Sequence, residues 1–183
     1  MKQSLSEQHS NARFVPPDNQ EMASKYEEVG GTCGPSAIAV LERTTVEQVI
    51  SKWRGVGPQA FRGFAPIREI KETLSALGYH FLYKKGHKAR EWPKSMTNTA
   101  IVRIQWLKED GTEYYWKAAG AHTHYVLMQR INGEWWVFCN DALWFKASDY
   151  SVGPQGYVSS YLELSHEPKV RQALPQFIGG GTE

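Results

Sequence analysis

Cysteine is scarce in this sequence, with only Cys33 and Cys139 in 183 residues. Two thiols cannot staple a small secreted scaffold, so a disulfide framework is excluded and reduced cysteines, reactive or metal-binding, are left. Net charge is also scarce: 21 Lys and Arg against 19 Asp and Glu leave +2. The basic residues are scattered apart from Lys84, Lys85, His87, Lys88 and Arg90, a run that reads as a solvated loop, so no nucleic-acid partner is expected. No stretch approaches the roughly 18 to 20 apolar residues of a membrane span, and residues 1–14 lack the apolar core of a secretory signal. A cytosolic protein with no membrane partner is expected. Internal repeats are absent.

Aromatic residues, in contrast, are plentiful at 13%, with seven Trp, which places large rings on strands or around a cleft. The length suits one domain with a real core. Residues 1–20 mix Ser, Gln, Asn and Pro without periodicity and read as a disordered arm; residues 176–183, with Gly179, Gly180 and Gly181, read as a flexible tail. The single domain is therefore expected over 21–175.

Within it the hydrophobic period changes once. Cys33 is followed by Gly34, Pro35 and an apolar run through Leu41, which predicts a buried helix beginning at the cysteine, with Pro in its first turn. Thr44 and Glu47 fit a capping box ahead of Val46, Ile50 and Trp53. Ile67, Ile70, Leu74 and Leu77 form one helical stripe that stops at Gly78. Beyond Gly78, β-branched and aromatic runs over 79–84, 99–106, 113–117, 125–131 and 135–140 alternate with turn residues. Helices first and strands afterwards predict an α+β fold with segregated layers and an antiparallel sheet.

Asn132-Gly133, between two such runs, is the strongest short hairpin signal and predicts a two-residue type I′ turn. Counting outward from Ile131 opposite Glu134 sets His124 opposite Asp141, on one face, as a non-hydrogen-bonded pair with Cβ atoms roughly 4.5 to 5 Å apart. A carboxylate there would fix the tautomer and orientation of the imidazole, as a histidine base needs. One β-bulge would put Asn140 in that place instead, and an amide can also orient a histidine.

A thiol attacks as thiolate, and a helix N-terminus favours the negative charge. Cys33 is therefore the candidate nucleophile, His124 its base and Asp141 the orienting residue. Gly30 and Gly31 allow close approach of substrate, and free backbone N–H groups at this turn suit an oxyanion. Cys139, in mid-strand, reads as a small buried hydrophobe that shares the face of His124.

Gly31-Thr32-Cys33-Gly34-Pro35-Ser36-Ala37, His124-Tyr125-Val126-Leu127 and Asn140-Asp141 together resemble the papain-like cysteine peptidase superfamily, most closely its bacteriocin-processing, double-glycine peptidase-like branch and small bacterial or phage relatives. The resemblance covers most of residues 25–145. It implies a papain-like fold in which the cysteine opens the central helix and the histidine and Asp or Asn come from neighbouring strands. It also implies a thiol hydrolase acting on a protein or peptide, without cofactor, through a thioester; peptide, isopeptide and side-chain amide bonds all suit these parts. In the family a Gln six residues before the cysteine donates to the oxyanion; here Glu27 stands there, leaving Gln20 or Thr32 as substitutes. The double-glycine preference makes Gly179-Gly180-Gly181 a conceivable self-cleavage site, against the simpler reading of a flexible tail.

Two other readings compete. His122, His124, Cys139 and Asp141 would share a face and are donors that suit zinc. Alternatively the chain is an inactive papain-like module that only binds a partner. The segment 106–122, rich in Trp, Tyr and Gly, is the expected cleft wall.

Overall fold

The structure, a computed structural model, describes residues 13–27, 31–53, 61, 63–115, 122–153 and 155–165. Gly30, the Gly179-Gly180-Gly181 run and the greater part of both expected terminal arms lie outside these residues.

Among the described residues four helices precede the strands, as the change of period predicts: α1 (Asn19–Tyr26), α2 (Cys33–Glu42), α3 (Val46–Ser51) and α4 (Ile67–Ala76). Six strands follow, β1 (Phe81–Ala89), β2 (Ala100–Trp106), β3 (Thr123–Ile131), β4 (Glu134–Cys139), β5 (Leu143–Lys146) and β6 (Gly156–Leu164). They form one antiparallel sheet in the order β1-β6-β2-β3-β4-β5. The fold is α+β. No helix among the described residues is long and apolar enough to cross a membrane.

The sheet is covered on both faces. Ile101, Tyr125, Leu127, Phe138 and Leu162 face the helices and pack with Ala37, Ile38, Ile70 and Leu74. Val102, Ile104, Val126, Met128, Val137 and Val158 face the other way, into a second core with Met96 and Val152, flanked by Trp92, Trp135 and Phe145. A strand buried on both sides needs no polar face, which is why β2 reads as the near-continuous run Ala100-Ile101-Val102-Arg103-Ile104. Two interior layers also account for the many aromatic residues.

The first turn of α2 is packed closely. A Cβ added at Gly34 would lie 2.7 Å from Ala65 Cβ and 2.8 Å from Ile70 Cδ1, so glycine is what lets the helix that begins at Cys33 sit against this neighbour. Gly31, with φ +78°, supplies the left-handed turn just before it.

The cap of α3 is Thr45, one residue after the expected Thr44: its side chain accepts from Gln48 N at 3.1 Å. Thr45 and Gln48 satisfy the same capping pattern, and Asp18 selects this start by accepting from Val46 N at 2.8 Å and Glu47 N at 3.0 Å. Residues 13–20, expected within a disordered arm, are thus anchored. Asn19 is buried, and Trp144 Nε1 donates to the Phe14 carbonyl at 2.9 Å. Asp18→Ala should lower unfolding stability by about 1 to 2 kcal/mol, the value of a helix cap, measured by urea denaturation; a change below a few tenths would show that water replaces the carboxylate.

Candidate active site

β3 and β4 are joined by the expected hairpin. Asn132 and Gly133 have φ of 52° and 85°, the left-handed pair a type I′ turn requires. Ile131 lies opposite Glu134 and the register continues without a shift to Leu127 opposite Phe138. β4 ends at Cys139, and Asn140, Asp141 and Ala142 turn the chain into β5, closed by the pair Cys139 and Leu143. Asp141 therefore reaches His124 from a tight turn, not from a straight strand.

His124, by alternation along β3, lies on the side of Val126 and Met128. Its Nε2 is 3.1 Å from Cys139 Sγ, and ligand atoms of His124, Cys139 and Asp141 all lie within 4.8 Å of one another. Trp106 packs beside the imidazole with ring centroids 6.1 Å apart. Burial lowers the pKa of His124, while the negative charge of Asp141 acts the other way. The imidazole is neutral at pH 7 and available as a base or a ligand.

Asn140 points to the helix side. Ser36 Oγ donates to Asn140 Oδ1 at 2.8 Å and Asn19 Nδ2 donates to the Asn140 carbonyl at 3.1 Å. The two residues offered as alternative orienters are thus separated by the turn that follows β4: Asp141 approaches His124, and Asn140 ties the turn to α1 and α2.

Cys33 opens α2, and its thiol lies where that helix meets the start of β3. The backbone N–H groups of Tyr125 and Gly34 favour its thiolate, but burial outweighs them, and the charge of Asp141 and the nearby Cys139 also oppose ionisation. The thiol is pushed up to about 11, where the helix N-terminus alone predicts a depressed value. A helix end gives up to about 2 kcal/mol at best, less than the cost of burying a charge. Among the described residues no hydrogen bond joins Cys33 to His124; the thiol in direct contact with the imidazole is Cys139. The pKa of Cys139 is likewise raised by burial, against the N–H groups of Ala142 and Asp141 that stabilise its anion.

The remaining candidates fall elsewhere. Gln20 is exposed on α1. Thr32 is buried and its Oγ1 accepts from Ser36 Oγ at 3.5 Å, so its hydroxyl is directed into the helix. Glu27, exposed, ends α1. His122 stacks on Tyr114, centroids 3.4 Å apart, and its carbonyl accepts from Gln105 Nε2 at 3.0 Å; the cluster that gathers consists of His124, Cys139 and Asp141 without it. Of the expected cleft wall, 116–121 lie outside the described residues.

A cavity of about 520 Å³ opens on His124, Cys139 and Asp141, with Ile104, Trp106 and Trp144 in its walls. Trp106, the first residue of the expected cleft wall, does line this cavity; Trp144, at the start of β5, was not expected there. No family model matches this sequence and no curated protein matches it.

Proposed function

We propose that the protein is a cysteine-dependent hydrolase of papain-like architecture, with Cys33 as nucleophile, His124 as base and Asp141 as orienting residue. The observation that supports this reading is that the α2 start meets the start of β3, the strand that carries His124. The Cys33 thiol meets the N–H of Tyr125, the residue after His124, and lies within the electrostatic reach of Asp141. His124 Nε2 is directed to Cys139 beside Asp141, so we assign Nδ1 the part of the base, with the imidazole turning toward Cys33 when substrate binds.

In the reaction, Nδ1 takes the Cys33 proton as sulfur bonds to the acyl carbon. The tetrahedral oxyanion collapses, and the imidazolium gives that proton to the departing amine; water, activated by the same nitrogen, then cleaves the thioester. The Gly34 N–H beside the sulfur is the nearest candidate oxyanion donor, a role that neither Gln20 nor the Thr32 hydroxyl is placed to take. Because the resting thiol is neutral, proton transfer accompanies attack, without a preformed thiolate and imidazolium pair.

The test is labelling with an acylating activity-based probe, followed by peptide mass spectrometry. Modification of Cys33, lost in His124→Ala, is expected. Modification of Cys139 alone, or none in either protein, would sink the reading and leave an inactive module. The pH dependence is a separate check: alkylation of Cys33 by iodoacetamide should climb toward pH about 11, and a plateau already reached at pH 6 would contradict a neutral resting thiol.

A further inference from the structure

Cys139 takes no part in the acyl chemistry above, yet its sulfur lies 3.1 Å from Nε2 of the base. An imidazole nitrogen, a thiolate and a carboxylate are the donors zinc takes. Zinc–ligand lengths of about 2.0 to 2.3 Å in a tetrahedron put neighbouring ligand atoms roughly 3.3 to 3.8 Å apart. Here the nitrogen and sulfur are 3.1 Å apart and all three ligand atoms fall within 4.8 Å. The imidazole and thiol need to open by only a few tenths of an ångström. Asp141 is exposed in the turn between β4 and β5, where a side-chain rotation closes it on the ion without disturbing either strand.

The surroundings suit a metal. Backbone N–H groups of Asp141 and Ala142 are aimed at the Cys139 sulfur, and Trp106 limits the plane of the His124 ring. The cavity against the cluster has room for a water in the fourth position, the pattern of a three-ligand zinc site. Other occupants are less well matched: magnesium and calcium prefer all-oxygen shells, whereas nitrogen and sulfur favour zinc.

We propose that His124 Nε2, Cys139 Sγ and the Asp141 carboxylate bind one zinc ion, with water completing the tetrahedron, and that zinc switches the hydrolase off. On binding, the Cys139 S–H bond breaks, its proton passes to solvent and a Zn–S bond forms; no electron is transferred. The ion also takes the carboxylate and Nε2, whose proton passes to Nδ1; Nδ1 then carries the ring's N–H and is no longer a base. The site itself stands on geometry, and only its inhibitory effect rests on the function proposed above.

The full-length reduced protein is titrated with Zn²⁺ by calorimetry and with Co²⁺ by absorbance. One ion per chain and a cobalt-to-thiolate charge-transfer band are expected. Cys139→Ser should abolish the band and weaken zinc more than about 100-fold, beyond the roughly 10- to 100-fold that outer-shell changes cost. Asp141→Asn, in an exposed turn where folding is not at stake, should also weaken zinc, and Cys33→Ser should leave band and affinity unchanged. Failure to bind zinc at micromolar concentration, or a band that survives Cys139→Ser and disappears in Cys33→Ser, would overturn the site. Probe labelling of Cys33, with and without zinc, separates the two proposals. A cobalt band without labelling removes the hydrolase and keeps the metal site; labelling that zinc does not affect removes the switch.

Discussion

Asp141→Asn should leave the protein folded and lower kcat about 100- to 1,000-fold, whereas Asn140→Ala should stay within about tenfold of the parent. A buried triad aspartate is worth roughly 10,000-fold, because its amide replacement holds the wrong histidine tautomer. Asp141 is exposed in a turn, where water screens its field, so the lower range applies. The pH profile distinguishes positioning from structural damage. Asp141 raises the pKa of a histidine that burial lowers from 6.5. Removing the charge should therefore move the acid limb of kcat/KM to still lower pH, while a merely loosened site would lose rate with no shift of the limb. Asn140→Ala should instead appear in stability. Ser36 Oγ loses an acceptor at 2.8 Å, at a cost of about 1 kcal/mol. If Asn140→Ala abolishes activity and Asp141→Asn does not, the orienting role belongs to the other residue of the turn.

What the sequence makes legible here is local. The helix at Cys33, the stripe from Ile67 to Leu74 and the turn at Asn132-Gly133 are each specified by residues a few positions apart, and each appears where the pattern predicts. The expected nearness of His124 and Asp141 appears, but not by the expected route: the β3–β4 register ends at Leu127 opposite Phe138, and Asp141 comes to His124 from the turn after β4. Long-range placement was not legible. β6 enters the sheet between β1 and β2, and a strand with both faces covered has no alternation to announce it. The 113–117 run was expected as a strand; in its described part Glu113 makes a single bridge, to Leu107. The protonation of Cys33 was equally hidden, since it depends on desolvation where α2 meets β3, far along the chain, and this outweighs the helix-end effect visible in sequence.

β6 also carries the residue whose loss should cost the fold most. Glu163 is 3% exposed, and its Oε1 accepts from Thr97 N at 2.7 Å, Thr97 Oγ1 at 2.9 Å and Asn98 N at 3.1 Å, while Oε2 pairs with Lys84 from β1. One carboxylate thus joins β1, β6 and the segment leading into β2. Burial by itself would raise its pKa, but Lys84 and the Thr97 and Asn98 donors together hold it at about 2. Glu163→Ala removes the acceptor from three part-buried hydrogen bonds and the partner from half-exposed Lys84, for an expected loss of about 1 to 3 kcal/mol, read from denaturant midpoints at pH 7. The pH dependence has a definite sign. A carboxylate with a depressed folded pKa contributes its full stability above its ordinary value of 4.5 and loses it as pH falls toward about 2. The parent should weaken across that window, and Glu163→Ala, already lacking the charge, should weaken less; parallel curves for the two proteins would show that Glu163 is not the group whose protonation loosens β6.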